Sequence, residues 1–370
     1  MTKLNDLYAD YGQSPWIDNL RRDWLQDGTL KKYIDEGVRG LTSNPSIFAK
    51  TIGESTAYDA DIEASTDTDP EKVFEGLAVS DVRGACDLLS GVHEGSKIDF
   101  ISGSRRYRDG FVSLEVSPRL AHDTDGTVAA AKRLFTEVDR ANVMIKIPGT
   151  KEGLPAIRAV LAAGINVNVT LIFSVERYSE VITAWRLGVA DAYAAGHDIS
   201  AIASVASFFV SRVDVAVDAL LSEGDPRRGT TANAQAADAY KLYRGRVQEQ
   251  QVKELLTEGA QVQRPLWAST STKNPAYPDL LYVDRLVADE TVNTMPDKTL
   301  ADALDHGDFA TSYLLNDETC DATAALLKNL APDVDLARVS QQLEAEGVAS
   351  FAKAYDELLA TVSSKMPANK

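Results

Sequence analysis

Strand-like and helix-like segments alternate along almost the whole of this 370-residue chain, and that alternation restricts the fold more than any other feature. Strands separated by helical crossovers pair in parallel, because each helix returns the chain to the end of the sheet where the preceding strand began. Eight strand-like segments can be read: Ser14 to Asn19, Val38 to Asn44, Gly110 to Ser117, Asn142 to Pro148, Ile165 to Phe173, Ile202 to Val210, Pro265 to Thr270 and Thr291 to Met295. Helical patterns intervene, such as Thr150 to Ala163, with Leu154, Ile157 and Leu161 on one face, and Ser174 to Ala195. Eight strands with helices between them suit a closed (β/α)8 barrel, a fold that runs to roughly 250 residues or more with insertions. The alternative is an open doubly wound sheet, whose nucleotide-binding form carries a glycine-rich turn after its first strand. Neither G-x-G-x-x-G nor G-x-x-x-x-G-K occurs here. No Pro/Gly/Ser-rich linker marks a second domain, so residues 1–370 read as one barrel domain. It carries a helical insertion at about 54–95 and C-terminal helices over about 297–370.

Composition narrows the function classes. With 44% hydrophobic and 25% charged residues the chain has a globular profile, and no run approaches the ~18 apolar residues of a membrane span. The start lacks an apolar signal core, so a cytoplasmic location is expected and no membrane partner. A net charge of -17 argues against nucleic acid, whose phosphates need a basic face. An anionic substrate therefore requires local positive charge. The triplet Arg105, Arg106 and Arg108 reads as a solvated loop. Cys86 and Cys320 are far apart and read as reduced structural thiols. The four histidines form no HxH or HxxxH pair, and no metal site or organic cofactor is expected. Monomer and homodimer both remain open.

Within the strands, one residue stands apart. Lys146 lies in the apolar run Asn142-Val143-Met144-Ile145-Lys146-Ile147-Pro148. Desolvation favours the neutral amine, the form that attacks a carbonyl, whereas snorkelling from a strand end is the competing reading. Side-chain parity decides what surrounds it, since alternate residues of a strand face opposite sides. Asn166, Asn168 and Thr170 share one face, opposite Ile165, Val167, Val169 and Leu171. A polar face of this kind points into the lumen, toward a solvated or ligand-filled mouth. By the same rule Ser113, Glu115 and Ser117 point inward, and so do Met144, Lys146 and Pro148. Asp18 and Asn44 close the first two strands, at the end of a barrel where active sites assemble. Each has a structural alternative: Asn44 as a turn or helix cap, Asp18 as a cap of the following helix.

An amine nucleophile, two carboxylates and several amide or hydroxyl groups in one pocket suit carbon–carbon cleavage through an enamine. The lysine condenses with a ketone, one carboxylate takes the proton of a hydroxyl beta to the iminium carbon, and the other places a water that shuttles protons.

These segments resemble the transaldolase family, TIM-barrel enzymes of the non-oxidative pentose phosphate pathway. The resemblance rests on Thr-Ser-Asn-Pro-Ser at Thr42 to Ser46, Leu-Glu-Val-Ser-Pro-Arg-Leu at Leu114 to Leu120, and Ile-Lys-Ile-Pro at Ile145 to Pro148. Gly-Ile-Asn-Val-Asn-Val-Thr-Leu-Ile-Phe-Ser at Gly164 to Ser174 adds a long match, and the likeness runs from Ser14 to about Ser271. It implies that Lys146 forms a Schiff base, that Asp18 acts on the C4 hydroxyl, and that Glu115 and Thr170 hold a catalytic water. Asn44 and Asn168, with Ser207 beside them, would bind the dihydroxyacetone unit. The stretch Ser207-Phe208-Phe209-Val210-Ser211-Arg212 matches a Ser-x-Phe-x-x-Arg pattern that gives Phe209 to the pocket wall and Arg212 to the phosphate. The implied substrates are sugar phosphates: sedoheptulose 7-phosphate or fructose 6-phosphate as donor, erythrose 4-phosphate or glyceraldehyde 3-phosphate as acceptor. Related lyases that release free dihydroxyacetone are shorter and use tyrosine where this chain has Glu115.

After the seventh strand the sequence departs from the family pattern. Many relatives place a second phosphate-binding arginine where this chain has Ser271, in Ala268-Ser269-Thr270-Ser271-Thr272-Lys273. Ser269, Ser271 and Lys273 are expected to complete the phosphate site, with Lys273 as a point charge in place of a guanidinium fork.

Overall fold

The computed structural model describes residues 2–96, 99–101 and 104–367, with the backbone alone for 99–101 and 104–106. Eight parallel strands close a TIM barrel in sequence order: β1 Ser14–Ile17, β2 Leu41–Thr42, β3 Val112–Glu115, β4 Val143–Pro148, β5 Val167–Ile172, β6 Ser204–Phe209, β7 Gln263–Ala268 and β8 Val292–Met295. Each falls within or overlaps one of the segments expected from the sequence. The expected helices appear at Gly153–Ala162 and Val175–Ala194, the second capped by Ser174, whose hydroxyl accepts from the Arg177 amide.

Register carries the parity argument into three dimensions. Glu115 on β3 lies opposite Lys146 on β4, and Lys146 lies opposite Asn168 on β5. Parallel neighbours at one level point to the same side, so three polar groups meet in the lumen while Val143, Ile145 and Ile147 pack outward in the core. Two details correct the simple alternation. Asn166 lies just ahead of β5 and bonds the carbonyls of Ala141 and Val143 at 2.9 and 3.0 Å, clipping the strands together away from the mouth. Parity gives a face but not a depth. Near the other end of β5 the register shifts between Val169 and Ile172, and Leu171 takes φ +59°. That bulge turns Leu171 to meet the C-terminal helix at Gly347.

The opposite end of the barrel is closed by charge. Asp109, fully buried, pairs with Arg39 at 3.0 Å and Arg264 at 3.4 Å, and accepts hydrogen bonds from Ser14 and from the Trp16 indole at 2.9 Å. Four donors around one carboxylate compensate its desolvation, which is the condition for burying an ion at all.

The insertion expected over about 54–95 is helical, at Asp59–Ala64 and Pro70–Gly95, and follows the helix Pro45–Glu54. It is fastened to the barrel by Arg22, whose guanidinium lies 2.7 Å from buried Asp81 and 4.3 Å above the Tyr58 ring. It ends in an unanticipated antiparallel ribbon, Asp99–Ile101 with Ser104–Arg106. Strands of three residues are too short for periodicity to reveal. Arg105 and Arg106 thus sit on a strand, their side chains outside those described, while the Arg108 amide donates to Gln261.

Beyond β8 the chain forms helices Asp297–His306, Asp317–Leu330 and Leu336–Lys365, with residues 368–370 outside the described set. The last helix lies against the mouth of the barrel: Ser340 donates to the Phe173 carbonyl at 2.9 Å just past the end of β5. Among the described residues no helix is long and apolar enough to cross a membrane, and Cys86 and Cys320 are buried and free.

Candidate active site

At the C-terminal ends of the strands a cavity of about 200 Å³ opens. Lys146 lies at its floor, 4% exposed, so its chain does not snorkel to bulk solvent. Its ammonium donates to the Ser43 carbonyl at 3.2 Å and forms an ion pair with Glu115 at 3.3 Å. Asp18 lines the same cavity and does not cap the following helix, which starts at Arg22 without a side-chain cap. Its carboxylate accepts from Thr42 at 2.6 Å, and Thr42 in turn meets Thr294 at 2.7 Å.

Both acids are held above the ordinary carboxylate range. Burial pushes Glu115 up to about 7 against the opposing charge of Lys146, with Asp18 adding a smaller upward push. Asp18 is raised by the same cause, with Lys146 and the Thr42 hydroxyl pulling the other way. Neither oxygen of Glu115 has an aligned hydrogen-bond partner among the described residues, and neither does the buried Thr170 hydroxyl on the cavity wall. Buried polar atoms without hydrogen-bond partners are rare; here two belong to the carboxylate beside the amine and the third lines the same cavity as the amine.

The remaining expected residues divide by depth. Asn44 lines the cavity and is also a helix cap, its side-chain oxygen accepting from the Ile47 amide at 3.0 Å. Asn168 lies beneath the lining: its amide donates to Ser113 at 3.0 Å and its oxygen accepts from Ser207 at 2.7 Å. Ser207 is the member of that chain that reaches the cavity. Glu115 too is not part of the lining and reaches the site through its pairing with Lys146.

Two cations stand at the rim. Arg212, at the start of the helix Ser211–Asp218, lines the cavity with its guanidinium 5.5 Å from the Phe209 ring centroid, and burial lowers its pKa. Lys273 is exposed overall yet lines the same cavity, and its ammonium donates to Ser271 at 2.6 Å. Burial and then the nearby Arg212 charge lower its pKa. Ser269, at φ +57°, bonds Ser211 side chain to side chain at 2.9 Å and joins the loop after β7 to the helix that carries Arg212. Strained backbone at a strand end is common where a site must be held in shape. The four cavity groups Arg212, Lys273, Ser269 and Ser271 form a positive rim on a protein of strongly negative net charge.

Several lining residues were not singled out from the sequence. Thr42 and Thr294 could have been found, since Thr42 shares the parity of Asn44. Ser46 and Pro296 flank the ends of β2 and β8. Phe351 could not, because it comes from the C-terminal helix; its ring centroid lies 5.7 Å from the Lys146 nitrogen. Among the described residues no three His, Cys, Asp or Glu side chains come together as a metal ligand set. A larger open cleft, about 920 Å³ and lined by Tyr240, Arg244 and Glu290, contains none of these groups.

Curated relatives resemble the chain over nearly its full length. Transaldolase from Mycolicibacterium smegmatis is 46% identical over 372 residues, covering 97% of this chain and 96% of the relative. Transaldolase from Saccharopolyspora erythraea is 44% identical over 374 residues, covering 99% of both, and transaldolase 2 of Nostoc sp. is 42% identical over 374 residues, covering 96% of both. Residues 15–362 match the model of the transaldolase/fructose-6-phosphate aldolase family, and the chain belongs to that family of enzymes.

Proposed function

We propose that the protein is a transaldolase that moves a dihydroxyacetone unit between ketose phosphate donors and aldose phosphate acceptors through a Schiff base on Lys146. The reading rests above all on one observation: a buried amine lies 3.3 Å from one carboxylate and shares its cavity with another. Glu115, near half-ionised at neutrality, accepts the amine's proton, and the free Nζ adds to the C2 carbonyl of the donor. A water held by Glu115 and the Thr170 hydroxyl shuttles protons as the carbinolamine loses water to give the iminium. Asp18 then takes the proton of the C4 hydroxyl, the C3–C4 bond breaks, and its electron pair moves into the enamine. The aldose phosphate leaves, an acceptor aldehyde takes its place, and the same steps run in reverse.

Arg212 and Lys273, with Ser269 and Ser271, hold the phosphate at the rim, one guanidinium fork with one point charge. Asn44 and Ser207 bind donor hydroxyls, with Asn168 orienting Ser207. Donors of this class are fructose 6-phosphate and sedoheptulose 7-phosphate, and such a reaction belongs to the non-oxidative pentose phosphate route in the cytoplasm. The test is a transfer assay with fructose 6-phosphate, run with and without erythrose 4-phosphate. Sedoheptulose 7-phosphate formed only with the acceptor is the expected result. Glyceraldehyde 3-phosphate and free dihydroxyacetone appearing at an equal rate without acceptor would replace this reading by a lyase.

A further inference from the structure

The C-terminal helix Leu336–Lys365 carries one buried stripe: Ser340, Leu343, Gly347, Phe351, Tyr355, Leu358 and Val362, at steps of three or four. It is pinned along its length. Beside the Ser340 bond, Tyr355 donates to Glu71 at 2.9 Å, and Lys365 donates to the Ser55 carbonyl at 3.0 Å and to Asp59 at 2.7 Å. Gly347 sets how low the helix sits, because a Cβ there would lie 3.0 Å from Leu171 Cδ2 and 3.4 Å from the Phe173 ring. One turn later Phe351, 5% exposed, enters the cavity beside Lys146. It is the one cavity-lining residue from beyond Pro296 among those described.

Position and chemistry together give this ring a task that the barrel strands leave open. After cleavage the enzyme carries a three-carbon enamine, which can follow two routes. Attack on an acceptor aldehyde completes transfer. Protonation at C3 regenerates the iminium, water adds to C2, the C2–Nζ bond breaks, and free dihydroxyacetone leaves the restored amine. The second route begins with the proton at C3, which solvent can deliver in addition to the one water held by Glu115 and Thr170, and the Phe351 ring covers the intermediate 5.7 Å from its nitrogen.

We propose that Phe351 is a specificity-determining residue: held over the amine by the close seat of Gly347, its ring keeps solvent other than the water on Glu115 and Thr170 from the enamine and commits it to transfer. This rests on the Schiff-base reading above. The experiment uses the full-length enzyme with fructose 6-phosphate and erythrose 4-phosphate, and measures free dihydroxyacetone against sedoheptulose 7-phosphate in one reaction. Phe351→Ala is expected to raise the share of free dihydroxyacetone about tenfold. Should that variant fail to fold by circular dichroism, Phe351→Val carries the same expectation with about a threefold rise. An unchanged share in a folded variant overturns the proposal. Borohydride trapping in the wild type separates the two failures: an adduct with unchanged partition sinks the role of Phe351 alone, and no adduct sinks the Schiff-base reading beneath it.

Discussion

Replacing Glu115 by glutamine removes a titration while keeping the shape of the protonated side chain, so it isolates the electrostatics on which the site depends. Burial raises the Glu115 carboxyl from 4.5 to about 7. A folded-state value above the unfolded one means that the folded protein holds the proton more tightly. The group therefore favours folding below about 4.5, and that contribution fades as pH rises through about 7. Over this window linkage gives roughly 3 kcal/mol for one carboxyl. The side chain is only 4% exposed, so solvent screening does not dilute the effect. Urea denaturation at steps between about pH 5 and about pH 8 measures it. The wild type should lose stability relative to E115Q as pH rises, by an amount approaching that figure. Asp18 is shifted in the same direction and is present in both proteins, so only its smaller coupling to Glu115 stays in the difference. Parallel curves would refute the assignment of a raised carboxyl at this position. In the transfer assay E115Q should also lower kcat by about 100-fold, the usual scale for losing one acid/base group.

At the rim, Lys273→Ala should raise KM for phosphorylated donors about tenfold with kcat little changed, because it removes one charge that donor and transition state feel equally. Arg212→Ala should cost more, about 100-fold in kcat/KM, since a half-buried fork is lost. Unchanged KM in K273A removes Lys273 from the phosphate site. At the other end of the barrel, Asp109→Ala leaves Arg264 and Arg39 without their shared partner and should destabilise the fold by about 3 to 5 kcal/mol. Thermal unfolding reads this directly, and a loss below about 1 kcal/mol would mean that water replaces the carboxylate there.

The barrel was legible because its information is local. Each strand announces itself by alternation or by an apolar run, and parity alone placed Glu115, Lys146, Asn168 and Thr170 on one inner face. What escaped depends on distances in space. Asn166 has the right parity but the wrong depth, since nothing in an alternating run says where the mouth begins. The bulge at Leu171 is invisible because leucine is not a residue whose presence signals a positive φ. Asn44 shows that competing readings need not exclude each other: one oxygen caps a helix while the residue lines the cavity. Phe351 lies more than 200 residues from Lys146, and the docking of the C-terminal helix, with Gly347 seated on Leu171, brings them together.

In the proposed mechanism the amine of Lys146 is the group that bonds substrate carbon. Borohydride reduction of the wild-type enzyme with fructose 6-phosphate, followed by peptide mass mapping, tests this directly. A reduced three-carbon or six-carbon adduct on the peptide containing Lys146, absent in Lys146→Arg, is the result expected. An adduct on another lysine, or none while transfer activity persists, would contradict it.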